Sequence, residues 1–462
     1  MRYRLSTEEV KNLLFDYNEI KEIFSEEKPE KVEIWDETLR DGEQSPSVYL
    51  TKDEKITIAK YLNEIGVALI AGGFPAVSEN ELLTVKLLVK ENFDHSVILG
   101  IARPKKSDID ACIKADVKEL VLFMPISDLM LKILKMTYDE ELKLIGEQID
   151  YVRAHGIDVN WVSEDSSRAN PTHLINVFNK AIEHKVKRII ITDTVGVLNP
   201  LSTRYLIKLV KEKVLKSHPE IGLGIHTHND FGLAVANTIE AVFLGAQFPH
   251  TCINGYGERA GNAAFEEVVM NLERCGIKTG IKLEKLFELS KIVEEIFCLP
   301  LSPNKPIVGD FSFSHESGLH INAILSHPLS YEPINPKIVG RTRKFFLGKQ
   351  SGSGSVINAL VEKLKLMDMD FPKEIIKKIV QKVKEKQESA PKDELKKIFK
   401  DLKNSLAKIT SGVTDKEFYE IVREVAGDQL LKYLDKNKQY FNAQKFQSLD
   451  NVNNNSENLD LY

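Results

Sequence analysis

The chain has 462 residues, 42% of them hydrophobic, and 63 basic against 68 acidic side chains give a formal net charge of -5. The apolar fraction excludes global disorder, and the acidic balance argues against a nucleic-acid binder. No apolar run reaches the ~18 residues that a membrane span needs.

Residues 1–30 are charged and amphipathic and read as a polar helical extension; they lack the apolar core of a signal peptide. From residue 32 one pattern repeats: a short strand-like run, a loop, then an amphipathic helical stretch. The strand candidates are 32–36, 67–71, 96–102, 119–124, 158–162, 188–192, 223–228 and 250–254. Helical stretches between them include 52–65, 139–155, 172–184, 201–216 and 231–244. Strands alternating with helices imply βαβ units and a parallel sheet. Eight such units over roughly 250 residues match an α/β fold of the (β/α)8 TIM-barrel type. A doubly wound open sheet is the competing topology, but no G-x-G-x-x-G follows the first strand.

The barrel is expected over 31–300. Pro300, Pro303 and Pro306 then mark a linker, and 301–352 reads as a mixed post-barrel subdomain without clear periodicity. A small C-terminal helical domain is expected over 353–447, broken at Pro391-Lys392 and Ser411-Gly412, with Thr414 and Glu417 as a capping box. The tail 448–462 is polar and expected to be disordered. The Lys-rich run 373–405 reads as a solvated helix face. Cys112, Cys252, Cys275 and Cys298 are scattered without C-x-x-C spacing, so reduced thiols in a cytoplasmic protein are expected.

The most informative segment is His226-Thr227-His228-Asn229-Asp230, after an apolar strand-like run. Residues two apart on a strand share a face, so this pair aims two imidazoles at one point, an arrangement that suits a divalent metal. Polar residues also cluster at the ends of other strands: 36–44, Arg103, 164–168, Asp193-Thr194 and 255–262. In a (β/α)8 barrel these ends share the catalytic face.

The runs E-T-L-R-D-G-E-Q, H-T-H-N-D-F-G, G-E-R-A-G-N and S-H-E-S-G-L-H, in this order over about residues 31–350, resemble the 2-isopropylmalate synthase/homocitrate synthase family. These are metal-dependent TIM-barrel enzymes that condense an acyl-CoA with a 2-oxoacid. The resemblance implies a metal site of Asp41, His226, His228 and Asn262, a mixed N/O set suited to Mg²⁺, Mn²⁺ or Zn²⁺ with positions left for substrate. It implies that Arg40 is the catalytic arginine, stabilising the oxygen that becomes anionic on attack. Gln44 and Thr194 become candidates for substrate binding, and Arg103 for anion binding. Glu164 working with His320 would remove a proton from acetyl-CoA; His315 is the competing histidine. Tyr331 would help close the site. In the family this post-barrel region reaches over the other subunit's barrel, which implies a homodimer with shared sites. The expected activity is a Claisen-type condensation of acetyl-CoA with a 2-oxoacid in amino-acid biosynthesis, releasing CoA: 2-isopropylmalate synthase-like, with homocitrate or citramalate synthase as alternatives.

Departures from the family pattern bear on the substrate. Ile70-Ala71-Gly72-Gly73-Phe74-Pro75 lacks the Glu of the usual I-E-A-G-F-P, and Val121, Val162 and Ile190 stand where isopropylmalate synthases carry His, Ser and Asn. These changes predict a more apolar oxoacid pocket. No extra arginine or histidine for a second carboxylate is evident in those strands. The chain stops too early for the complete feedback domain of the longer isopropylmalate synthases, so leucine allostery through it is not expected. A metallolyase like HMG-CoA lyase is the alternative class, but the 255–262 loop lacks that family's reactive cysteine and Cys252 lies within a strand. A non-catalytic scaffold is the remaining alternative.

Overall fold

The structure, a computed structural model, describes residues 9–10, 13–20, 28–364, 372–409 and short pieces between 412 and 425. Most of the N-terminal extension and the tail expected to be disordered lie outside the described residues. The chain divides into two units, residues 1–401 and 402–462. In the second, Thr414 and Glu417 make the reciprocal hydrogen bonds of a capping box.

Eight parallel strands close into a barrel in sequence order: β1 (Trp35–Asp36), β2 (Leu69–Gly73), β3 (Val97–Ala102), β4 (Glu119–Pro125), β5 (Asp158–Glu164), β6 (Arg188–Asp193), β7 (Gly222–Thr227) and β8 (Phe248–Thr251). The open-sheet alternative is thereby excluded. Four strands differ from their expected spans by two residues or more: β2 runs two residues later, β5 extends two residues further to Glu164, and β1 and β8 differ more. β1 is only two residues long, although single backbone bonds extend its pairing: Glu33 N–H donates to the Gln247 carbonyl and Glu37 N–H to the Thr251 carbonyl on the β8 side, and Leu69 N–H to the Ile34 carbonyl on the β2 side. β8 begins two residues early, and its Ile253 and Asn254 turn away into a short 3-10 turn.

The helices are α1 (Lys52–Ile65), α2 (Glu79–Lys90), α3 (Lys106–Lys114), α4 (Asp128–Leu134), α5 (Tyr138–Ala154), α6 (Pro171–Glu183), α7 (Pro200–Lys213), α8 (Ala234–Phe243), α9 (Phe265–Arg274) and α10 (Leu286–Phe297). Their starts are written in local chemistry: Thr51 with Glu54 and Thr137 with Glu140 form capping boxes, and Asn170-Pro171 and Asn199-Pro200 place an amide cap before proline. Apolar faces of these helices pack on the outward side chains of the strands to form the main core.

Inside the barrel, Trp35, Leu69, Leu99, Ile101, Val121 and Ile190 form a separate apolar plug. Below it, at the strand starts, buried Arg188 donates to Glu119 at 2.7 Å and to Asn160 at 2.9 Å, and its guanidinium lies 4.4 Å from the Phe248 ring centre. This charged layer closes the barrel interior from below, while the C-terminal mouth opens to a cavity lined by the strand ends.

After the barrel, β9 (Ser314–His315) pairs in parallel with β10 (Lys344–Phe345), and α11 (Gly318–Ser326) follows β9. α12 (Ser353–Leu364), α13 (Lys373–Glu388) and α14 (Lys392–Ile409) continue the chain. Among the described residues, no helix is long and apolar enough to cross a membrane.

Candidate active site

The turn after β1 supplies three of the site's charges. The Glu37 carbonyl accepts from the N–H groups of Arg40, Asp41 and Gly42, which winds this segment tightly over the barrel mouth. The Asp36 carboxyl anchors it, accepting from Thr38 N–H at 2.9 Å and from Thr38 Oγ1 at 3.0 Å. Burial pushes the Asp36 carboxyl up to about 8 against those hydrogen bonds. Arg40 Nε donates to Glu37 at 2.8 Å, and its Nη1 lies 3.4 Å from Asp41. Burial would raise the Glu37 carboxyl, but Arg40 and His250 outweigh it and hold it at about 2. Asp41 is likewise held well below the usual carboxylate range by Arg40 and the neighbouring imidazoles, despite its burial.

β7 carries the paired histidines. Their Nε2 atoms lie 3.2 Å apart, and Asp41 Oδ2 is 3.5 Å from that of His226 and 3.7 Å from that of His228. All three side chains are buried. Burial and the adjacent His226 push the His228 imidazole down to about 3, so it is neutral near pH 7 with a lone pair to give. Asn262 Nδ2 donates to Asp41 Oδ2 at 2.6 Å, while Asn262 Oδ1 is buried without a hydrogen-bond partner.

The loop that delivers Asn262 depends on glycine. Gly257 has φ +153°, and a Cβ there would lie 2.2 Å from Asn262 Nδ2. Gly261 has φ +83°, and a Cβ there would meet the Gly255 carbonyl oxygen at 1.9 Å. A side chain at either position would expel the amide. One carboxylate, two imidazole nitrogens and the unpartnered amide oxygen of Asn262 converge here as a mixed N/O donor set. The donor set fits a divalent metal. A second trio, Glu37, His226 and His250, also places its ligand atoms close together.

Glu37, Arg40, Asp41, His226, His228 and His250 line one side of a cavity of about 230 Å³ at the barrel mouth, with Asn262 behind Asp41. Glu164 from β5, Thr192 and Thr194 at the end of β6, Gln44, Glu258 and Arg259 complete its polar wall. Burial and the adjacent Asp165 raise the Glu164 carboxyl above its ordinary value, opposed by Arg40. Thr194 Oγ1 accepts from Asp165 N–H at 2.8 Å. The opposite wall consists of Phe74, Ile101, Val121, Phe123 and Val162, with the Phe74 and Phe123 rings edge to face at 5.9 Å. Among the described residues this wall presents no polar side chain.

Four sequence expectations land elsewhere. Ile190 is not in the cavity lining; it lies one layer lower, in the apolar plug beneath Thr192. Arg103 is outside the lining, fixed to Asp108 at 2.6 Å and facing the Phe74 ring from outside at 5.5 Å. His320 and Tyr331 also stay out of this chain's own cavity, their rings stacked on each other at 3.9 Å. His315 lies beside them, its ring centre 6.5 Å from that of His320. Conversely, His250, Phe74 and Phe123 line the cavity without having been assigned a role from sequence, as do Glu37, Glu258 and Arg259, which lie within the polar strand-end segments 36–44 and 255–262. His250 stacks on Trp35 at 4.2 Å and sits 3.2 Å from Glu37. Its signal was present in the alternation of β8, where Phe248 and His250 share the inward face.

Residues 31–293 match the HMGL-like family model, and residues 307–391 match the homocitrate synthase post-HMGL domain-like model. A Methanocaldococcus jannaschii protein named 2-isopropylmalate synthase is 43% identical over 75% of this chain, which spans 65% of that relative's length. A protein of the same organism named homocitrate synthase AksA is 42% identical over 74% of this chain and 83% of its own. An HMG-CoA lyase structure from Bacillus subtilis aligns with a TM-score of 0.53 at 22% identity, covering 59% of this chain and 96% of that one. That last likeness is one of fold. Near-equal identity to two differently named synthases means that overall similarity does not choose between their substrates.

Proposed function

This chain belongs to the HMGL-like family of metal-dependent, acetyl-CoA-using barrel enzymes, and from that premise we propose that it condenses acetyl-CoA with a 2-oxoacid bearing a small apolar side chain, as a 2-isopropylmalate synthase does. It is an acyltransferase of the kind that turns the acyl group into an alkyl group on transfer. The observation that carries the substrate reading is the division of the cavity into a charged wall around Asp41, His226 and His228 and an apolar wall from Phe74 to Val162.

Asp41, His226, His228 and Asn262 would hold the metal, and a divalent cation bound there supplies Lewis-acid polarisation of the ketone. The rest of the chemistry falls to side chains of the chain. Arg40, pinned by Glu37 and Asp41, presents fixed positive charge to the oxygen that gains charge during attack. Thr194 and Gln44 bind the oxoacid's carboxylate end, and the apolar wall receives its side chain. Glu164, its carboxyl raised by burial, is placed to take part in moving the methyl proton of acetyl-CoA together with His320. His320 and Tyr331 lie outside their own chain's cavity, which favours their service to the barrel of a second copy in a homodimer.

Homocitrate formation would require a second carboxylate to sit against Val121, Phe123 and Val162, where burial without a partner is costly. The lyase reading lacks its reactive cysteine in the 255–262 loop. Cys252 is fully buried, and that burial pushes its thiol well above the ordinary value.

The deciding experiment follows free CoA from acetyl-CoA, Mg²⁺ or Mn²⁺ and a panel of 2-oxoisovalerate, pyruvate, oxaloacetate and 2-oxoglutarate. The proposal expects 2-oxoisovalerate to give the highest kcat/KM. Preference for 2-oxoglutarate would overturn the substrate reading. No CoA release with any oxoacid, despite bound metal, would overturn the synthase reading.

A further inference from the structure

The segment joining β5 to α6 holds a buried carboxylate that the reaction scheme above does not use. Asp165 follows Glu164 directly, is 1% exposed, and has φ +61° and ψ +31°. That left-handed conformation is uncommon outside glycine, although Asp and Asn tolerate it best. It is over-determined by its neighbours. The Asp165 carboxylate accepts from Ser127 Oγ at 2.5 Å, from Arg168 Nε at 2.8 Å and from Arg168 Nη2 at 2.9 Å. Its backbone N–H donates to Thr194 Oγ1 at 2.8 Å. On the preceding residue, the Glu164 carbonyl accepts from Ile126 N–H at 3.0 Å. One residue further on, Ser166 Oγ donates to the Ser163 carbonyl at 2.5 Å and accepts from Thr192 N–H at 3.3 Å.

We infer that Asp165 is a positioning residue for the condensation: its latched, left-handed turn sets the Glu164 carboxyl and the Thr194 hydroxyl in one fixed relation across the cavity. Two elements meet there. Ser127, the N-cap of α4, holds the turn from the β4 side, and Thr194 is engaged from the β6 side. Because Asp165 N–H occupies a lone pair of Thr194 Oγ1, the hydroxyl proton is left to point at Thr192 Oγ1, 3.3 Å away, or at a bound carboxylate. The same turn keeps a second negative charge beside Glu164. The other charges facing Glu164 are Arg40 from the turn after β1, which favours its ionised form, and Glu258 from the loop after β8, which disfavours it. Arg168 partly offsets the Asp165 charge.

This inference rests on the reading that Glu164 moves the methyl proton, and the test separates the two. Full-length Asp165→Asn, Asp165→Ala, Ser127→Ala and Glu164→Gln are compared with the parent enzyme by CoA release across pH, with thermal melting as a check of folding. Asparagine keeps the left-handed turn and an acceptor for Ser127 but removes the charge. The expected result for Asp165→Asn is a kcat reduced about 10-fold, in the range of second-layer effects, and an acid limb moved to lower pH. Asp165→Ala is expected to fall further, and if it fails to fold, Asp165→Asn decides. A folded Asp165→Asn with parental kcat, or with reduced kcat but an unmoved acid limb, overturns the inference while leaving the function intact. A fully active Glu164→Gln overturns both.

Discussion

His226 and His228 hold their Nε2 atoms 3.2 Å apart, each facing the same oxygen of Asp41. Two imidazole nitrogens and a carboxylate oxygen so placed present a convergent donor set to a divalent cation. Asp41→Ala and His228→Ala should therefore lose bound metal, measured by elemental analysis after dialysis, while the melting temperature of the metal-free protein changes little. Unchanged metal content in either variant would refute the ligand set.

Arg40→Ala should behave differently from those two. Metal content should persist, because Asp41 and both imidazoles remain, whereas kcat should fall roughly 10²- to 10³-fold, as for loss of one preorganised charge-stabilising group. If metal and activity fall together, Arg40 supports the site and does not act on the oxyanion.

The apolar wall predicts a size preference. Phe123→Ala opens the space beside Phe74 and should shift the ratio of kcat/KM toward longer apolar 2-oxoacids by about 10-fold or more, the worth of one or two methylene groups in a hydrophobic pocket. A parallel loss for short and long substrates would place the oxoacid side chain elsewhere.

The raised carboxyl of Glu164 sets a pH prediction for activity. If the ionised form is the active one, kcat declines as pH falls through a value above the ordinary glutamate range of about 4.3. At the barrel base the shift runs the other way, although its effect too is lost on acidification. Burial raises Glu119, but Lys187 and Arg188 outweigh it, so its carboxyl is more acidic folded than unfolded. Its contribution to stability is present above the unfolded value and is lost as pH falls through the folded one. Glu119→Gln should cost about 2 kcal/mol at pH 7, by denaturant unfolding, with the difference shrinking below about pH 4.

Shared sites can be tested by mixing. His320→Ala and Glu164→Gln should each be inactive alone, and co-refolded or co-expressed mixtures should regain part of the activity if one copy's His320 serves the other's barrel. No recovery from verified mixed dimers would confine each site to one chain.

The order of strands and helices was legible because burial imposes a period on each element, and the period survives in the sequence without any partner in view. The His226–His228 pair was legible for a related reason, since residues two apart on a strand share a face; Asp41 joined it only through the resemblance of its run to the family's. Partnerships between elements were not. Arg103 looks like a free cation until α3 places Asp108 against it. His250 looks like a strand's first residue until β8 is seen to begin at Phe248, which lifts it into the upper layer beside Glu37. Ile190 and Thr192 differ by one inward step on β6, and only the height of the plug decides which of them borders the cavity.

The two-residue β1 has a consequence for dynamics. It pairs with β2 and with β8 at two positions each, as β8 does with β7, fewer than the other neighbouring pairs, so the barrel has a short seam there. Local opening is cheapest where few backbone bonds must break, and amide exchange should therefore be fastest in the strands flanking this seam. Asp41 hangs from one lip of it, and Asn262 from the other, after β8. A ligand that binds both lips binds only the closed form and so acts as a clasp, stabilising the closed barrel in proportion to its occupancy.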